Sequence, residues 1–246
     1  MRYLIVSDIH GNWEALESVL ASARGGYDEV CCLGDVVGYC ADPNRVTDWI
    51  RTNVKAVVRG NHDKACAGLE NLEWFNPIAR QAALWTMQHL TTENLEWLRA
   101  LPKGPLVTEE FEMFHGSPLD EDDYIVSAQD AAQLMGYLQS PVSFFGHTHL
   151  QGGFTCERCG VRKIERPRRD ANGRVLELQR DSLYMINPGS VGQPRDGDPR
   201  TAWAVYDSVE RLVEYRRAEY DVRACQNKIL RCGLPELLAH RLEAGA

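Results

Sequence analysis

Five times along the chain a short apolar run ends in a compact polar cluster, and five of the seven histidines fall in those clusters. Tyr3 to Val6 runs into Asp8-Ile9-His10, Glu29 to Leu33 into Gly34-Asp35, and Ala56 to Val58 into Gly60-Asn61-His62-Asp63. Leu106 to Phe114 runs into His115-Gly116, and Val142 to Phe145 into Gly146-His147-Thr148-His149. Runs of this length bounded by turn residues predict strands. Helical patterns separate the first three. Trp13 to Ala23 sets Leu16, Val19, Leu20 and Ala23 on one face, and Asp42-Pro43 is an N-cap with proline at the first helical position, opening a helix through Ile50. Strand and helix in alternation imply βαβ units and a largely parallel sheet. In open α/β sheets ligands bind beyond the carboxyl ends of the strands, so the five clusters could share one site.

The same rules carry through the rest of the chain. Asn76-Pro77 starts a helix to about His89, Glu93 to Leu101 forms a short one stopped by Pro102, and Leu106 to Phe114 is a hairpin. Ser127 with Asp130 resembles a capping box for a helix to about Leu138. A hairpin insertion is expected over about 152–180, with Asn172-Gly173 as its turn signal. Strands follow at Leu183 to Ile186, Ala202 to Tyr206 and Leu212 to Tyr215. Helices at Val222 to Arg231 and Pro235 to Leu242 occupy the carboxy-terminal region of about 219–244. No repeat or linker divides the chain, so 1–246 is expected to be a single domain.

The clusters carry a recognisable ligand chemistry. Asp8 and His10 are two residues apart, a spacing that in an extended segment turns both side chains to one side, and His147 and His149 repeat it. Asp8, Asp35, Asn61, His10, His115, His147 and His149 supply two carboxylates, one amide and four imidazoles. That set suits Mn, Fe, Zn, Ni or Co and is too rich in nitrogen for Ca²⁺ or Mg²⁺. It exceeds one tetrahedral site, whereas two divalent ions about 3.5–4 Å apart, bridged by a shared carboxylate, would use it all.

The ordered motifs Asp-x-His, Gly-Asp-x-x-Gly, Gly-Asn-His-Asp, His and Gly-His-x-His resemble the calcineurin-like metallophosphoesterase superfamily, in its small bacterial phosphodiesterase-type branch. The likeness covers roughly residues 1 to 207 and extends to Gly34 through Tyr39, Asn76-Pro77 and Asn187-Pro188-Gly189-Ser190-Val191-Gly192. It implies an α/β fold, a four-layer αββα sandwich of two mixed sheets flanked by helices, with the dinuclear site at the strand ends. It assigns Asp8, His10, Asp35 and His149 to one metal, and Asp35, Asn61, His115 and His147 to the other. The nucleophile is then a hydroxide bridging the two ions. The resemblance makes His62 the group that protonates the leaving alkoxide or stabilises the transition state, and Asp63 could fix its tautomer, with a helix N-cap as its structural alternative. Asn12 and Tyr39 are candidate substrate contacts beside the ligand clusters, with helix capping and packing as their structural alternatives.

The implied activity is hydrolysis of a phosphodiester or another small phosphate ester. The alternatives are a phosphomonoesterase or dinucleoside polyphosphate hydrolase and, more remotely, a non-catalytic scaffold of the same fold. Protein phosphatases and symmetrical dinucleoside tetraphosphatases of the superfamily carry Gly-Asp-x-x-Asp-Arg-Gly, whose arginine clamps a phosphate. This chain has Gly38, Tyr39 and Cys40 in the last three places. Purple acid phosphatases place a tyrosine ligand where Gly38 stands. A net charge of −8 disfavours a duplex nucleic-acid partner. The six tryptophans, at 13, 49, 74, 85, 97 and 203, fall at core positions rather than forming a base-stacking platform.

The apolar run at the amino terminus is too short for a signal peptide, and no stretch is long enough to span a membrane, so a cytoplasmic location without membrane partners is expected. The eight cysteines are then expected as thiols. Cys156-Glu157-Arg158-Cys159-Gly160 departs from the family pattern. A free or occasionally disulfide-bonded hairpin ranks first, then a zinc site completed by another chain, then a redox switch. Arg166, Arg168, Arg169 and Arg174 form a basic stretch, ordinarily a solvated loop, that could reach over the site toward an anionic substrate.

Overall fold

The computed structural model describes residues 1–246 with the exception of the Trp74 side chain, so the expected core place of Trp74 lies outside the described residues. The first sheet begins with β1 (Arg2–Val6), β2 (Glu29–Cys32) and β3 (Ala56–Val57), which pair in parallel. The crossovers between them are α1 (Trp13–Ala23) and α2 (Pro43–Asn53). Next come α3 (Asn61–Cys66), α4 (Pro77–His89) and α5 (Thr92–Ala100). The second sheet starts with the antiparallel pair β4 (Leu106–Val107) and β5 (Glu112–Met113). It continues through α6 (Ala128–Leu134), β6 (Val142–Phe144), β7 (Gly152–Glu157) and β8 (Gly160–Ile164). β9 (Gly173–Glu177), β10 (Leu183–Asn187), β11 (Thr201–Asp207) and β12 (Leu212–Ala218) precede α7 (Val222–Arg231) and α8 (Glu236–Ala244).

The strands form two six-stranded mixed sheets, β3-β2-β1-β11-β12-β9 and β4-β5-β6-β10-β7-β8. Side-chain alternation explains how both faces of each sheet are covered. Ile5 and Cys31 point between the sheets and pack with Phe111, Phe144, Ile186 and Tyr206. Their neighbours Leu4, Val6 and Cys32 point outward against Leu16, Val19, Val46 and Ile50 of α1 and α2. On the opposite side Phe145, Phe154 and Met185 pack with Ala131 of α6. Helix, sheet, sheet and helix therefore stack in the expected αββα order. Trp203 is buried, and Trp13, Trp49, Trp85 and Trp97 pack at the margins of the cores. Among the described residues no helix is long and apolar enough to cross a membrane.

One local expectation is corrected and two details are added. The segment over 152–180 is a hairpin only through Ile164, because β8 pairs with β7 whereas β9 crosses to the other sheet and pairs with β12. Asn172-Gly173 therefore leads into a lone edge strand instead of turning a hairpin. Asp42 precedes α2 without a side-chain capping bond, since its carboxylate accepts from Lys228 of α7 at 2.5 Å. The cluster at 60–63 is itself the start of α3, where Asp63 accepts from the Gly60 amide in the capping role that was its structural alternative.

Candidate metal centre

The connections leaving β1, β2, β3, β5 and β6 meet at one edge of the sandwich. They are laced together by their backbones: the Asp8 amide donates to Gly34 O at 3.0 Å, Gly146 to His115 O at 2.8 Å, and Gly192 to Asp8 O at 2.9 Å. The spacing of Asp8 and His10 works differently from the expected extended segment. Both residues, and likewise His147 and His149, have φ between 53° and 63°, as does Asp35 at 52°. Left-handed backbone is unfavourable for residues with a Cβ, and it concentrates at functional sites. Between each pair the chain turns away, burying Ile9 completely, and returns the second side chain to the same side.

The ligand atoms then converge. Asp8, His10, Asp35 and His149 offer donor atoms all within 4.8 Å of one another, and so do Asp35, His115 and His147. Asn61 joins the second group, its Oδ1 lying 3.2 Å from His115 Nε2. Asp35 belongs to both groups because its Oδ2 is 3.5 Å from His10 Nε2 and 3.5 Å from His115 Nε2. The carboxylates are held by backbone donors: the His62 amide donates to Asp35 Oδ1 at 2.8 Å, and the His147 amide donates to Asp8 Oδ1 at 3.1 Å. Asp8 Oδ2 is buried without any hydrogen-bond partner.

The imidazole tautomers supply the test of whether cations fit. Carbonyl oxygens only accept, so Nδ1 must carry the proton where it meets Val37 O (His10, 3.2 Å), Leu33 O (His115, 2.8 Å) and Gln193 O (His149, 2.6 Å). In neutral rings the three Nε2 atoms are then left as lone pairs facing the centre. His10 Nε2 and His149 Nε2 stand 3.1 Å apart, and His115 Nε2 lies 3.2 Å from His147 Nδ1. Lone pairs so close, with carboxylate oxygens beside them, repel unless a positive charge lies among them. Carbonyl-oriented imidazoles are the usual partners of transition-metal ligation, so the donor set fits divalent metal ions.

Charge in the centre follows from burial and the two acids. Burial pushes the imidazoles of His10, His147 and His149 down, His147 to about 3. Burial opposes a charge on His115 as well, but Asp35 outweighs it and raises that imidazole to about 10, marking where the centre draws positive charge. Asp35 is held well below the ordinary carboxylate range because His115, His62 and His10 outweigh its burial. Burial brings His62 down to about 4, partly offset by Asp35.

His62 stands beside the ligands: its ring centroid is 4.9 Å from that of His10, and its Nδ1 is buried with no hydrogen-bond partner. Gly38 makes this approach possible. A Cβ at Gly38 would lie 2.8 Å from His62 Nδ1 and 3.0 Å from His10 Nδ1, at a φ of +138° that suits only glycine. Tyr39 is where the sequence placed it, its ring 4.6 Å from His10 and 4.4 Å from His62.

Two expectations are corrected by this geometry. Asp63 does not orient His62; its two carboxylate oxygens accept from the backbone amides of Val37 and Gly60, each at 3.1 Å, and tie those two loops together. Burial and the nearby Asp35 raise that carboxyl to about 7. Asn12 does not reach the site either: it is fully buried, caps α1 through the Ala15 amide and donates to Gly192 O at 2.9 Å.

The basic stretch is also used elsewhere. Arg166 donates to Asp196 O and Arg174 to Glu165 O, each at 2.6 Å, while Arg168 pairs with Asp170 at an exposed position. Cys156 and Cys159 sit at the tip of the β7–β8 hairpin, the first half-buried and the second exposed.

Two residues at the site escaped the sequence reading. Tyr124 lies over His147, ring centroids 3.9 Å apart, and Arg195 places its guanidinium 5.7 Å from the centre of the Tyr39 ring. Neither sits in a motif. The only local signal is that Arg195 follows closely on Asn187 to Gly192, a segment already noted as resembling the superfamily.

The comparisons with known proteins agree with this architecture. The family model described as calcineurin-like phosphoesterase superfamily domain matches residues 1–210. An uncharacterized protein from Methanocaldococcus jannaschii is 34% identical, with 98% of this chain and 97% of that protein covered. The crystal structure of a metallophosphoesterase from Sphaerobacter thermophilus superposes with a TM-score of 0.87 at 37% identity, covering 100% of this chain and 99% of that one. A hypothetical protein from Pyrococcus horikoshii shares the fold, with a TM-score of 0.80 at 20% identity over 100% of this chain and 98% of that one.

Proposed function

This chain belongs to the calcineurin-like phosphoesterase superfamily, and from that premise we propose that it hydrolyses phosphodiesters or other small phosphate esters with two divalent transition-metal ions, Mn, Fe, Zn, Ni or Co. The observation that carries the proposal is the place of Asp35, whose Oδ2 is equidistant at 3.5 Å from an imidazole of each ligand group. When bound, a pair of such cations lowers the pKa of a water toward neutrality and offsets charge on the phosphoryl oxygens.

The protein's part is to hold and orient. Asp8, His10, Asp35 and His149 would hold one ion, and Asp35, Asn61, His115 and His147 the other. Asp35 has one oxygen fixed by the His62 amide and presents the other to both groups. Among the described residues His62 Nδ1 has no hydrogen-bond partner, so the imidazole is available to the leaving oxygen of an ester seated at the centre. Asp63 contributes by binding the loops of Asp35 and Asn61 to each other. Tyr39 lies where a bound substrate would meet an aromatic wall beside His10 and His62.

The 37% identical relative is described as a metallophosphoesterase, which supports the class of reaction. Gly38-Tyr39-Cys40 lacks the aspartate and arginine of the superfamily's protein phosphatases and symmetrical dinucleoside tetraphosphatases, which disfavours those two activities and leaves a phosphodiesterase or a phosphatase of small substrates. Hydrolysis of bis(p-nitrophenyl) phosphate and p-nitrophenyl phosphate with each of the five metals, and with chelator, tests the reading. Metal-dependent product, faster from the diester, is expected. No metal-dependent product from either ester would favour a scaffold role.

A further inference from the structure

Arginines 59, 200 and 217 are buried or half-buried, and each is matched to a carboxylate, Glu121, Asp198 and Asp196 respectively. Arg195 is half-buried and has no ion pair among the described residues; its hydrogen bonds go to neutral groups alone. Nε and Nη2 donate to Gln193 Oε1 at 3.3 and 3.0 Å, and Nη2 also meets the Tyr39 hydroxyl at 3.4 Å. Among the described residues Nη1 makes no hydrogen bond of ordinary length, and the guanidinium also neighbours the Tyr124 side chain. A guanidinium with five donors in a rigid plane is thus oriented along one edge and left with donors to spare.

Its position is set by the centre itself. His149 Nδ1 donates to Gln193 O at 2.6 Å, and the Arg195 amide donates back to His149 O at 3.3 Å, so the segment carrying the guanidinium is braced on a ligand residue. The side chain then lies toward Tyr39, whose ring is itself 4.6 Å from that of His10 and 4.4 Å from that of His62. Gln193 is completely buried, and its Nε2 has no hydrogen-bond partner, so the side chain that anchors the guanidinium leaves a second donor unused. Unmatched positive charge and an unused amide donor beside a metal centre suit an anion rich in acceptor oxygens. Burying a charge without a carboxylate is unfavourable unless a ligand completes the pairing.

We propose that Arg195 is the residue that grips a phosphoryl oxygen of the substrate, supplying from the β10–β11 connection the guanidinium that the Gly34–Cys40 loop does not carry. At the position where relatives place the phosphate-clamping arginine this chain has Tyr39, and the Tyr39 ring and hydroxyl are what Arg195 rests on. Gln193 is a positioning residue for that guanidinium. The ligand class is a phosphate ester, and the proposal rests on the phosphoesterase reading above.

The test compares R195Q, R195K and, as a control at an exposed ion pair away from the centre, R168Q. Metal content by elemental analysis should equal that of the wild type in all three, since Arg195 is not a ligand. Calorimetric titration of the metal-loaded proteins with inorganic phosphate should show R195Q binding roughly 10–100-fold more weakly, the size of a lost charge-assisted hydrogen bond. R195K should retain part of the affinity and R168Q all of it. With bis(p-nitrophenyl) phosphate, R195Q should lose kcat/KM by a similar factor.

Phosphate affinity within twofold of wild type in both R195Q and R195K would overturn the proposal, as would a wild type that binds no phosphate. Should the wild type cleave no ester with any metal, the catalytic reading fails while the phosphate titration still decides Arg195. Should R195Q fold poorly, R195K makes the same comparison.

Discussion

Asp35 compresses the logic of the centre into one side chain. Its Oδ1 is committed to the His62 amide and its Oδ2 is shared between His10 and His115, so an amide in its place would keep the first contact and remove the charge from the second. Asp35→Asn should therefore fold yet lose metal affinity by more than the roughly 10–100-fold that substitutions outside the ligand shell cause. Elemental analysis still showing two ions per chain would remove Asp35 from the bridging position. Gly38 makes a different kind of point, because its contribution is the absence of an atom. A methyl group there meets His62 and His10 at 2.8 and 3.0 Å on a backbone that L-residues rarely adopt. Gly38→Ala should destabilise the fold by about 1–3 kcal/mol through backbone strain. It should slow turnover further, since an ångström of misplacement costs on the order of 100-fold. Wild-type kcat in that variant would show that the His62 position is immaterial. The convergence of the candidate ligand residues was legible in the sequence because each lies in a short contiguous motif at a strand end. The neighbouring Asp63 was misread because two backbone amides from different loops claim its oxygens, a pairing that sequence distance conceals. Arg195 was missed for the same reason.

Among the elements, the connection from β10 to β11 is the one whose shape depends most on a distant strand. Arg217 of β12 is buried and pairs with Asp196, while its Nε donates to Gln151 Oε1 at 3.0 Å and its Nη1 to the carbonyls of Asp198 and Arg200, each at 3.3 Å. Those bonds fix the chain immediately after Arg195. Removing one member of a buried ion pair leaves the other charge uncompensated and typically costs about 3–5 kcal/mol. Arg217→Met should lower unfolding stability by about that amount in a denaturant titration. The double variant with Asp196→Asn should recover part of it; equal loss in single and double variants would mean the pair contributes only packing. Such an anchor is invisible to pattern reading, as is the strand change after Ile164, where β8 and β9 join different sheets. The helices were easier. Asn76 caps α4 through the Ala79 amide and Ser127 caps α6 through Asp130, as their residue types predict, because capping is a local contest between side chain and backbone. α3 is legible only through the helix-cap alternative of Asp63, because its first residues carry the polar chemistry of the site and the short element offers no apolar period to detect.

For the molecule as a whole, the consequence of the sandwich is that neither sheet owns the centre. Asp8, His10, Asp35 and Asn61 leave the ends of strands in the first sheet, whereas His115, His147 and His149 leave strands of the second. Each ligand group contains residues from both, so an ion held in either position joins the sheets at the edge where the His147 amide already meets Asp8 and the His115 ring meets Leu33 O. The unfolded chain cannot assemble such a set, and binding to the folded state alone adds RT ln(1 + [L]/Kd), about 2.7 kcal/mol at a hundredfold excess over Kd. For a chain of 246 residues, each kilocalorie moves the melting midpoint by about 2–4 °C, so a saturating metal should raise Tm by roughly 5–10 °C over the chelated protein. The gain should disappear in Asp35→Asn, which disables both groups, and be halved or less in His147→Ala, which touches only the second. Scanning calorimetry with Mn, Fe, Zn, Ni or Co and with chelator measures all three proteins. An equal rise in the wild type and Asp35→Asn would place the bound ion elsewhere on the surface, and the joining of the two sheets through Asp35 would have to be given up.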